Sequence, residues 1–77
     1  MTIEKLREIA AATLPNCDVE GVTAEAMLVP DLCTDSLDTV ELSMALEENT
    51  GVQVGDDLMA TFRTVGDLLD YMTKRGA

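Results

Sequence analysis

Aromatic side chains are scarce in this chain, and that scarcity limits the kind of core it can build. Phe62 and Tyr71 are the only two, although 47% of the residues are apolar. A chain of 77 residues has the size of one domain, and a domain this small buries only about 60% of the surface that its unfolded chain exposes. A thin core of Leu, Val, Ile, Met and Ala suits packed helices better than a β-sandwich. We therefore expect one all-α domain over residues 1–77.

The charge is strongly negative and unevenly distributed. Fifteen Asp and Glu residues against five Lys and Arg give a net charge of −10, and no base lies between Arg7 and Arg63. Nucleic acids and anionic membrane surfaces should repel such a protein. Two interpretations stay open at this point: a surface that only keeps the protein in solution, and a docking surface for basic partners.

Several reactive chemistries are excluded because the chain contains no histidine. Cys–His catalysis, serine triads that use His and most zinc sites all need one. Cys17 and Cys33 are the only cysteines, and we expect both to be reduced thiols without a disulfide. No apolar run approaches the ~20 residues of a membrane helix. The sequence therefore predicts a cytoplasmic monomer that binds no metal and is not an enzyme.

Helical spacing and capping residues divide the chain into four helices. The first is expected over residues 2–14, with Thr2 as its N-cap and Pro15-Asn16 as its end. The second begins at Asp35-Ser36, a short third covers residues 56–61, and the fourth begins at Thr64. The expected fold is a four-helix bundle with three main helices, one short third helix and a long first loop. Six apolar residues are expected to anchor that loop: Val19, Val22, Met27, Leu28, Val29 and Leu32.

The second helix has two apolar faces. On a helical wheel Leu42 and Leu46 lie on one side, with Thr39 beside them and Ala45 at the edge. The other side carries Leu37, Val40 and Met44, and is flanked by Glu41, Glu47 and Glu48. An apolar stripe inside an acidic border favours an exposed partner-binding surface. Burial of both faces under the loop is the alternative.

The residues around Ser36 form the most informative run. A serine that opens a helix is most often an N-cap, so spacing alone does not assign it a covalent role. A calcium loop through Asp31, Cys33 and Asp35 is disfavoured, because Ser36 stands where glycine is needed and Leu42 where the closing Glu should be.

The same run resembles the phosphopantetheine attachment region of bacterial acyl carrier proteins. The similarity is carried by Asp-Ser-Leu-Asp-Thr-Val-Glu-Leu at residues 35–42 and Met-Ala-Leu-Glu-Glu at residues 44–48. It extends to Thr2-Ile3-Glu4, to residues 64–67 and to Asp70-Tyr71, and therefore covers essentially the whole chain. The segment looks like the freestanding type used in dissociated fatty acid synthesis.

The resemblance implies a function and a set of site residues. Ser36 would carry a covalent 4′-phosphopantetheine arm that holds growing acyl chains as thioesters between the enzymes of fatty acid biosynthesis. The partners would be a phosphopantetheinyl transferase and synthesis enzymes with basic docking surfaces. The expected partner-binding residues are Asp35, Leu37, Asp38, Val40, Glu41, Met44, Glu47 and Glu48. The expected acyl pocket consists of Leu28, Val29, Leu46, Val54, Met59, Phe62 and Leu68, which are equally compatible with ordinary core packing.

The chain also departs from the family pattern. Cys33 replaces a usual glycine, Thr50 a usual aromatic residue and Gly55 a usual proline. Leu58, Met59 and Ala60 occupy a stretch that is commonly acidic with a small residue in the middle, so Met59 is expected to narrow the acyl pocket. These changes keep a polyketide or other specialised acyl pathway open as the alternative. A non-covalent acidic interaction module and a calcium-responsive bundle are the rival classes.

Overall fold

The computed structural model of the chain describes residues 1–14, 19–33 and 35–77. The expected role of Pro15-Asn16 in ending the first helix, and the state of Cys17, fall outside these residues. The elements in chain order are α1 (Ile3–Thr13), α2 (Ser36–Thr50), α3 (Asp56–Met59) and α4 (Val65–Lys74). The first loop contains two short helical turns, Val19–Gly21 and Leu28–Leu32. The expected all-α fold, with three main helices and a short third one, is confirmed.

Capping residues set the helix boundaries much as the sequence predicts. The Thr2 hydroxyl accepts a hydrogen bond from the Lys5 backbone N–H at 3.2 Å, which starts α1. Thr64 and Asp67 form a reciprocal capping box at the start of α4. The backbone N–H groups of Thr64 and Arg63 donate to the Asp67 carboxylate and hold its pKa below the usual 3.8. All three long helices therefore begin at a side-chain cap.

The core is aliphatic and draws on every long helix. Its largest fully buried side chains are Leu6, Leu28, Leu32, Cys33, Leu42, Leu46, Val54, Met59, Val65, Leu68 and Met72. Ile9 is also buried, whereas Ile3 and Thr13, at the two ends of α1, are only half-buried. Within the described residues, no helix is both long enough and apolar enough to cross a bilayer.

Two of the six expected loop anchors are wrong. Val22, Leu28 and Leu32 are buried and Val19 is half-buried, but Met27 is 42% exposed and Val29 is 50% exposed. Met27 is held by its backbone and not by burial of its side chain, because its N–H donates to the Asp31 carboxylate at 2.8 Å. A loop position can thus be fixed by hydrogen bonds and leave its apolar side chain in solvent.

The loop is tied to the start of α4 by backbone hydrogen bonds. Leu28 N–H donates to the Arg63 carbonyl at 3.0 Å, and Val65 N–H donates to the Ala26 carbonyl at 2.9 Å. The Gly66 N–H donates to the Ala24 carbonyl at 2.8 Å, and a Cβ at Gly66 would lie 3.0 Å from that oxygen. This glycine therefore permits the loop to approach closely. On the other side of the loop, the Arg7 guanidinium donates to the Val22 carbonyl, with Nη2 at 2.6 Å.

The strand-like residues 52–54 join α2 to α3 without forming a strand. Ser43 on α2 donates its hydroxyl to the Val54 carbonyl. Thr50 donates to the Leu46 carbonyl at 2.6 Å and accepts from the Val52 N–H at 3.2 Å. The hydroxyl at position 50 thus supplies polar contacts to the end of α2.

Gly51 and Gly55, which flank residues 52–54, differ in the backbone conformation that they adopt. Gly51 ends α2 in the left-handed region, with a φ of 77°, whereas Gly55 has a φ of −64°. The latter value is available to every residue and lies close to the angle that proline imposes. A Cβ at Gly55 would have nothing within 4 Å.

We therefore expect opposite effects from the same substitution at these two positions. Gly55→Ala should raise the free energy of unfolding by about 0.4–1 kcal/mol, because it restricts only the unfolded chain. Gly51→Ala should lower it by about 1–2 kcal/mol, because a side chain disfavours the left-handed conformation. Urea unfolding followed by circular dichroism measures both variants. Equal effects at the two positions would contradict the backbone geometry.

Candidate functional site

Ser36 is the first residue of α2, and its side chain is exposed. The N-cap of the helix is the preceding residue, Asp35, whose carboxylate accepts a hydrogen bond from the Asp38 N–H at 3.0 Å. The Thr39 hydroxyl donates to the Asp35 carbonyl at 3.2 Å and further fixes this turn. The sequence left open that Ser36 is only a cap. In the structure Asp35 performs that task, and the Ser36 hydroxyl projects from a turn that other residues hold in place.

A cleft of about 450 Å³ begins beside Ser36 and runs between α2, α3 and the loop turn at Leu28–Leu32. Its lining residues are Val29, Asp35, Ser36, Thr39, Val40, Asp56, Met59 and Ala60. Its apolar lining comes from Val29 in the loop turn, Val40 on α2, Met59 on α3 and Ala60 directly after α3. The hydroxyl of Ser36 therefore stands at the edge of a partly apolar cleft.

The outer face of α2 exposes the apolar stripe that the helical wheel predicts. Leu37 is 62% exposed and Met44 is 57% exposed, so the alternative in which the loop buries both faces is wrong for these two residues. Val40 is half-buried because it forms part of the cleft beside Ser36. Leu42 and Leu46 are fully buried on the opposite face, as predicted.

The carboxylates predicted to border this stripe lie on different flanks of α2. Glu41 and Glu48 border a shallow groove between α1 and α2, together with Met44, Ala45, Ala12 and Thr13. Glu47 borders a separate hollow with Ser43 and residues 53–55. Asp35 is exposed and Asp38 is half-buried at the N-terminal end. The acidic side chains thus surround the exposed stripe and do not form one cluster.

The seven residues predicted to form an acyl pocket are divided between two places. Leu28, Leu46, Val54, Met59 and Leu68 are buried in the common core, and Phe62 is half-buried against it. Val29 is exposed, and only Val29 and Met59 of the seven line the cleft beside Ser36. The larger part of the predicted pocket is therefore filled by its own side chains.

Three cleft residues were not predicted as part of the site. The sequence places Thr39 beside the core face of α2 and gives no role in the site to Asp56 or Ala60. The predicted boundaries of α3 were close to correct, but sequence periodicity does not reveal which flank of α2 a four-residue helix approaches. The cleft depends on how α3 packs against α2.

Comparison with protein families bears directly on this site. A family model described as the phosphopantetheine attachment site matches residues 4–72. The chain belongs to the phosphopantetheine attachment site family. This family is defined by the covalent attachment of 4′-phosphopantetheine, and its domains are carriers that transferases modify and other enzymes act upon. The chain is accordingly a carrier protein.

The surroundings of Ser36 meet the requirements of the phosphopantetheine group of this family. An attached arm needs a hydroxyl that solvent reaches, a place for a phosphate and room for a flexible chain. Ser36 is exposed at the N-terminus of a fifteen-residue helix, where peptide N–H groups and the helix dipole favour an anion. The adjoining cleft offers apolar surface on one side. The residues present fit the group.

A metal-binding alternative receives no support from the described part of the chain. Within residues 1–14, 19–33 and 35–77, no three Asp, Glu, Cys or His side chains lie close enough together to hold a metal ion. Asp31, which a calcium loop would have used, instead accepts the Met27 N–H.

The position of the cap leads to a prediction about stability. Asp35→Ala should lower the free energy of unfolding by about 1 kcal/mol, because it removes the side chain that caps α2. Ser36→Ala should change it by no more than about 0.5 kcal/mol, because the residue is exposed and caps nothing. Thermal and urea unfolding compare the two variants. A larger loss for Ser36→Ala than for Asp35→Ala would show that the cap has been assigned to the wrong residue.

Proposed function

We propose that this carrier holds acyl chains as thioesters on a 4′-phosphopantetheine arm attached to Ser36, and delivers them between the enzymes of fatty acid biosynthesis. The observation that carries the proposal is the exposed Ser36 hydroxyl at the N-terminus of α2, within a chain whose family is defined by this attachment. The sequence around it is similar to that of freestanding bacterial acyl carrier proteins. On the same resemblance we propose a single carrier domain that acts as a monomer in the cytoplasm.

The attached group supplies a long flexible arm that ends in a thiol. Attachment forms a bond between Ser36 Oγ and a phosphorus atom of coenzyme A, breaks that atom's bond to the bridging oxygen, and releases the adenosine bisphosphate portion. The hydroxyl proton has to pass to a base. The chain contains no histidine, so we assign that base to the transferase and not to this protein. The part played by the chain is to present the hydroxyl and to position the arm.

Tethering explains why a protein without its own active site can serve many reactions. A substrate fixed to a carrier reaches each enzyme as an intramolecular partner once the carrier has docked, at a high effective concentration. The carrier then has to bind each enzyme briefly and release it. A docking surface that combines a small apolar contact with long-range charge suits this requirement.

We expect attachment of the 4′-phosphopantetheine arm to depend on the hydroxyl oxygen of Ser36. Incubation with coenzyme A and a promiscuous phosphopantetheinyl transferase should add one arm to the wild-type chain, as read by intact mass. Ser36→Ala should show no gain in mass, because the nucleophilic oxygen is removed. Ser43→Ala is the matched control: it removes the next serine along α2 and should leave modification intact. Absence of mass gain in a folded wild-type chain, with a transferase proven on another carrier, would reject the proposal.

The same experiment separates this proposal from a non-covalent acidic interaction module. In such a module Ser36 would have no chemical role, and the wild-type chain would gain no mass. Because Asp35 is the cap, Ser36→Ala should leave the fold nearly unchanged. Loss of function in that variant would then reflect the missing hydroxyl and not unfolding.

We further propose the outer face of α2 as the docking surface for basic partners. Its apolar contacts are Leu37 and Met44, which are among the most exposed large apolar side chains of the described chain. Val40 adds a half-buried contact towards the cleft. The surrounding carboxylates are Asp35, Asp38, Glu41, Glu47 and Glu48. Carboxylates around an apolar patch raise the rate of encounter with a basic surface, and the patch itself slows dissociation.

Charge reversal on this face should therefore affect the transferase reaction more than charge reversal elsewhere. Glu41→Lys should lower kcat/KM about tenfold at low ionic strength through a higher KM, and the loss should shrink as salt is added. Glu4→Lys makes the same charge change on the exposed face of α1 and serves as the control. Initial rates at several salt concentrations provide the measurement. Equal losses for the two variants would mean that only net charge matters, and would argue against a defined docking face.

The pathway can be identified from the acyl groups that the native protein carries. A polyketide or other specialised acyl pathway is the alternative, favoured by the departures at Cys33, Thr50, Gly55 and residues 58–60. Mass spectrometry of the acyl groups released from the native protein distinguishes the two. Saturated straight chains of graded length would support fatty acid biosynthesis, and other acyl groups would support the specialised pathway.

A further inference from the structure

The methionines of this chain differ sharply in how far solvent reaches them. Met44 is 57% exposed and Met27 is 42% exposed. Met59 is 1% exposed and Met72 is 0% exposed, while Met1 is half-buried. A methionine thioether is oxidised to the sulfoxide only where the oxidant reaches its sulfur atom. The fold therefore leaves Met44 and Met27 open to a dissolved oxidant and protects the two methionines of the core.

The two exposed methionines lie on different parts of the surface. Met44 lies on the outer face of α2, where it lines the shallow groove that Glu41 and Glu48 border. Those two carboxylates stand about one helical turn before and after it, so Met44 is the apolar contact between two acidic ones. Met27 lies in the first loop and pairs through its backbone with Thr64 at the start of α4. Only Met44 belongs to the proposed docking surface.

We propose that Met44 is a reversible oxidation site, and that its conversion to methionine sulfoxide weakens the docking of basic partners on the outer face of α2. This inference rests on the proposed function, because it requires that face to contact the partners. Met44 is one of the large apolar side chains that the face offers to them. Its exposure to a partner and its exposure to an oxidant are the same property.

The oxidant is hydrogen peroxide. A lone pair of the Met44 sulfur forms a bond to one peroxide oxygen, and the O–O bond breaks. The departing oxygen takes up the proton of the transferred oxygen and leaves as water. The sulfur is oxidised by the same pair of electrons that reduces the peroxide. Methionine sulfoxide reductases, which draw electrons from a dithiol, reverse the change.

The sulfoxide converts an apolar contact into a polar one without changing the charge of α2. Its oxygen accepts hydrogen bonds from water, and a partner that covers it has to remove that water. We therefore expect oxidation to lower kcat/KM for the transferase about tenfold, through a higher KM. Because the long-range attraction by the carboxylates is unchanged, this loss should be the same at low and high salt. Charge reversal at Glu41 differs, since its effect should shrink with salt.

The fold itself should survive this oxidation. An exposed side chain contributes little to stability, so a sulfoxide at Met44 should leave unfolding nearly unchanged. Oxidation of Met59 or Met72 would place a polar group in the aliphatic core, but both sulfurs are shielded by burial. The distribution of methionines thus makes docking sensitive to peroxide while the core stays intact.

The test uses the full-length chain before the arm is attached, so that no arm thiol consumes the oxidant. The protein is treated with hydrogen peroxide, then with catalase, and then with dithiothreitol, which restores oxidised thiols but leaves sulfoxides. Peptide mapping by mass spectrometry should find sulfoxide at Met44 and Met27, with Met59 and Met72 reduced. Initial rates with coenzyme A and a promiscuous phosphopantetheinyl transferase should show the loss at every salt concentration. Methionine sulfoxide reductases for both sulfoxide epimers should restore the rate.

Three variants assign the effect to one sulfur atom. Met44→Leu keeps an apolar side chain of similar volume but has no sulfur, so peroxide treatment should leave its rate unchanged. Met27→Leu is the matched control: it removes the other exposed thioether and should lose rate on oxidation just as the wild-type chain does. Met44→Gln places a permanent polar group at the same position and should lower kcat/KM about tenfold without any oxidant. Circular dichroism establishes that each variant is folded.

The outcomes separate the inference from the function on which it rests. A wild-type chain that accepts no arm before oxidation would overturn both. Normal rates for Met44→Gln would overturn the role of Met44 in docking, and the inference with it. A slow Met44→Gln variant, together with a wild-type chain whose Met44 stays reduced in peroxide or whose rate survives its oxidation, would overturn the oxidation site alone. Loss of rate in peroxide-treated Met44→Leu would do the same, because another residue would then be responsible.

Discussion

The burial of one face of α2 is the interaction on which the rest of this structure depends. Leu42 and Leu46 are fully inaccessible to solvent and fix the rotation of the helix about its axis. Because successive residues on a helix are related by about 100°, that single rotation places Leu37 and Met44 outwards and Val40 towards α3. Ser36, which follows the Asp35 cap, then lies at the edge of the cleft. The exposed stripe and the orientation of Val40 towards the cleft thus follow from the packing of one helix face.

The strong negative charge is tolerated because the fold makes little demand on ion pairs. Lys5 and Glu8 form an exposed surface pair at 4.0 Å, a kind of contact that contributes little to stability. Among the residues that the structure describes, every buried one is apolar. Carboxylates are used instead where a helix starts, at Asp35 and Asp67, and where the loop turns, at Asp31. Exposed carboxylates such as those of Glu41, Glu47 and Glu48 can act at long range on other molecules.

The sequence predicted the helices well because their signals are local. Thr2, Asp35 and Thr64 are capping residues followed by apolar residues at helical spacing, and all three open a helix in the structure. The exposure of Leu37 and Met44 was also predictable, since the wheel places them opposite the core face. The loop was harder to predict: Met27 and Val29 are apolar but exposed, and the backbone N–H of Met27 is held by the Asp31 carboxylate without burial of its side chain. The cleft was hardest, since the approach of Asp56 and Ala60 to Thr39 depends on tertiary packing that no periodic pattern encodes.

The backbone hydrogen bonds between residues 24–28 and 63–66 limit which side of the cleft can move when it widens. Because residues 24–28 share three such bonds with the beginning of α4, we expect this segment to move together with that helix and not independently of it. The side of the cleft that Val29 lines is therefore fixed relative to the core. Another side of the cleft is formed by α3, which is four residues long and follows Gly55 without a side-chain cap. If the cleft widens, we expect this short, uncapped helix to move and the loop turn to stay in place.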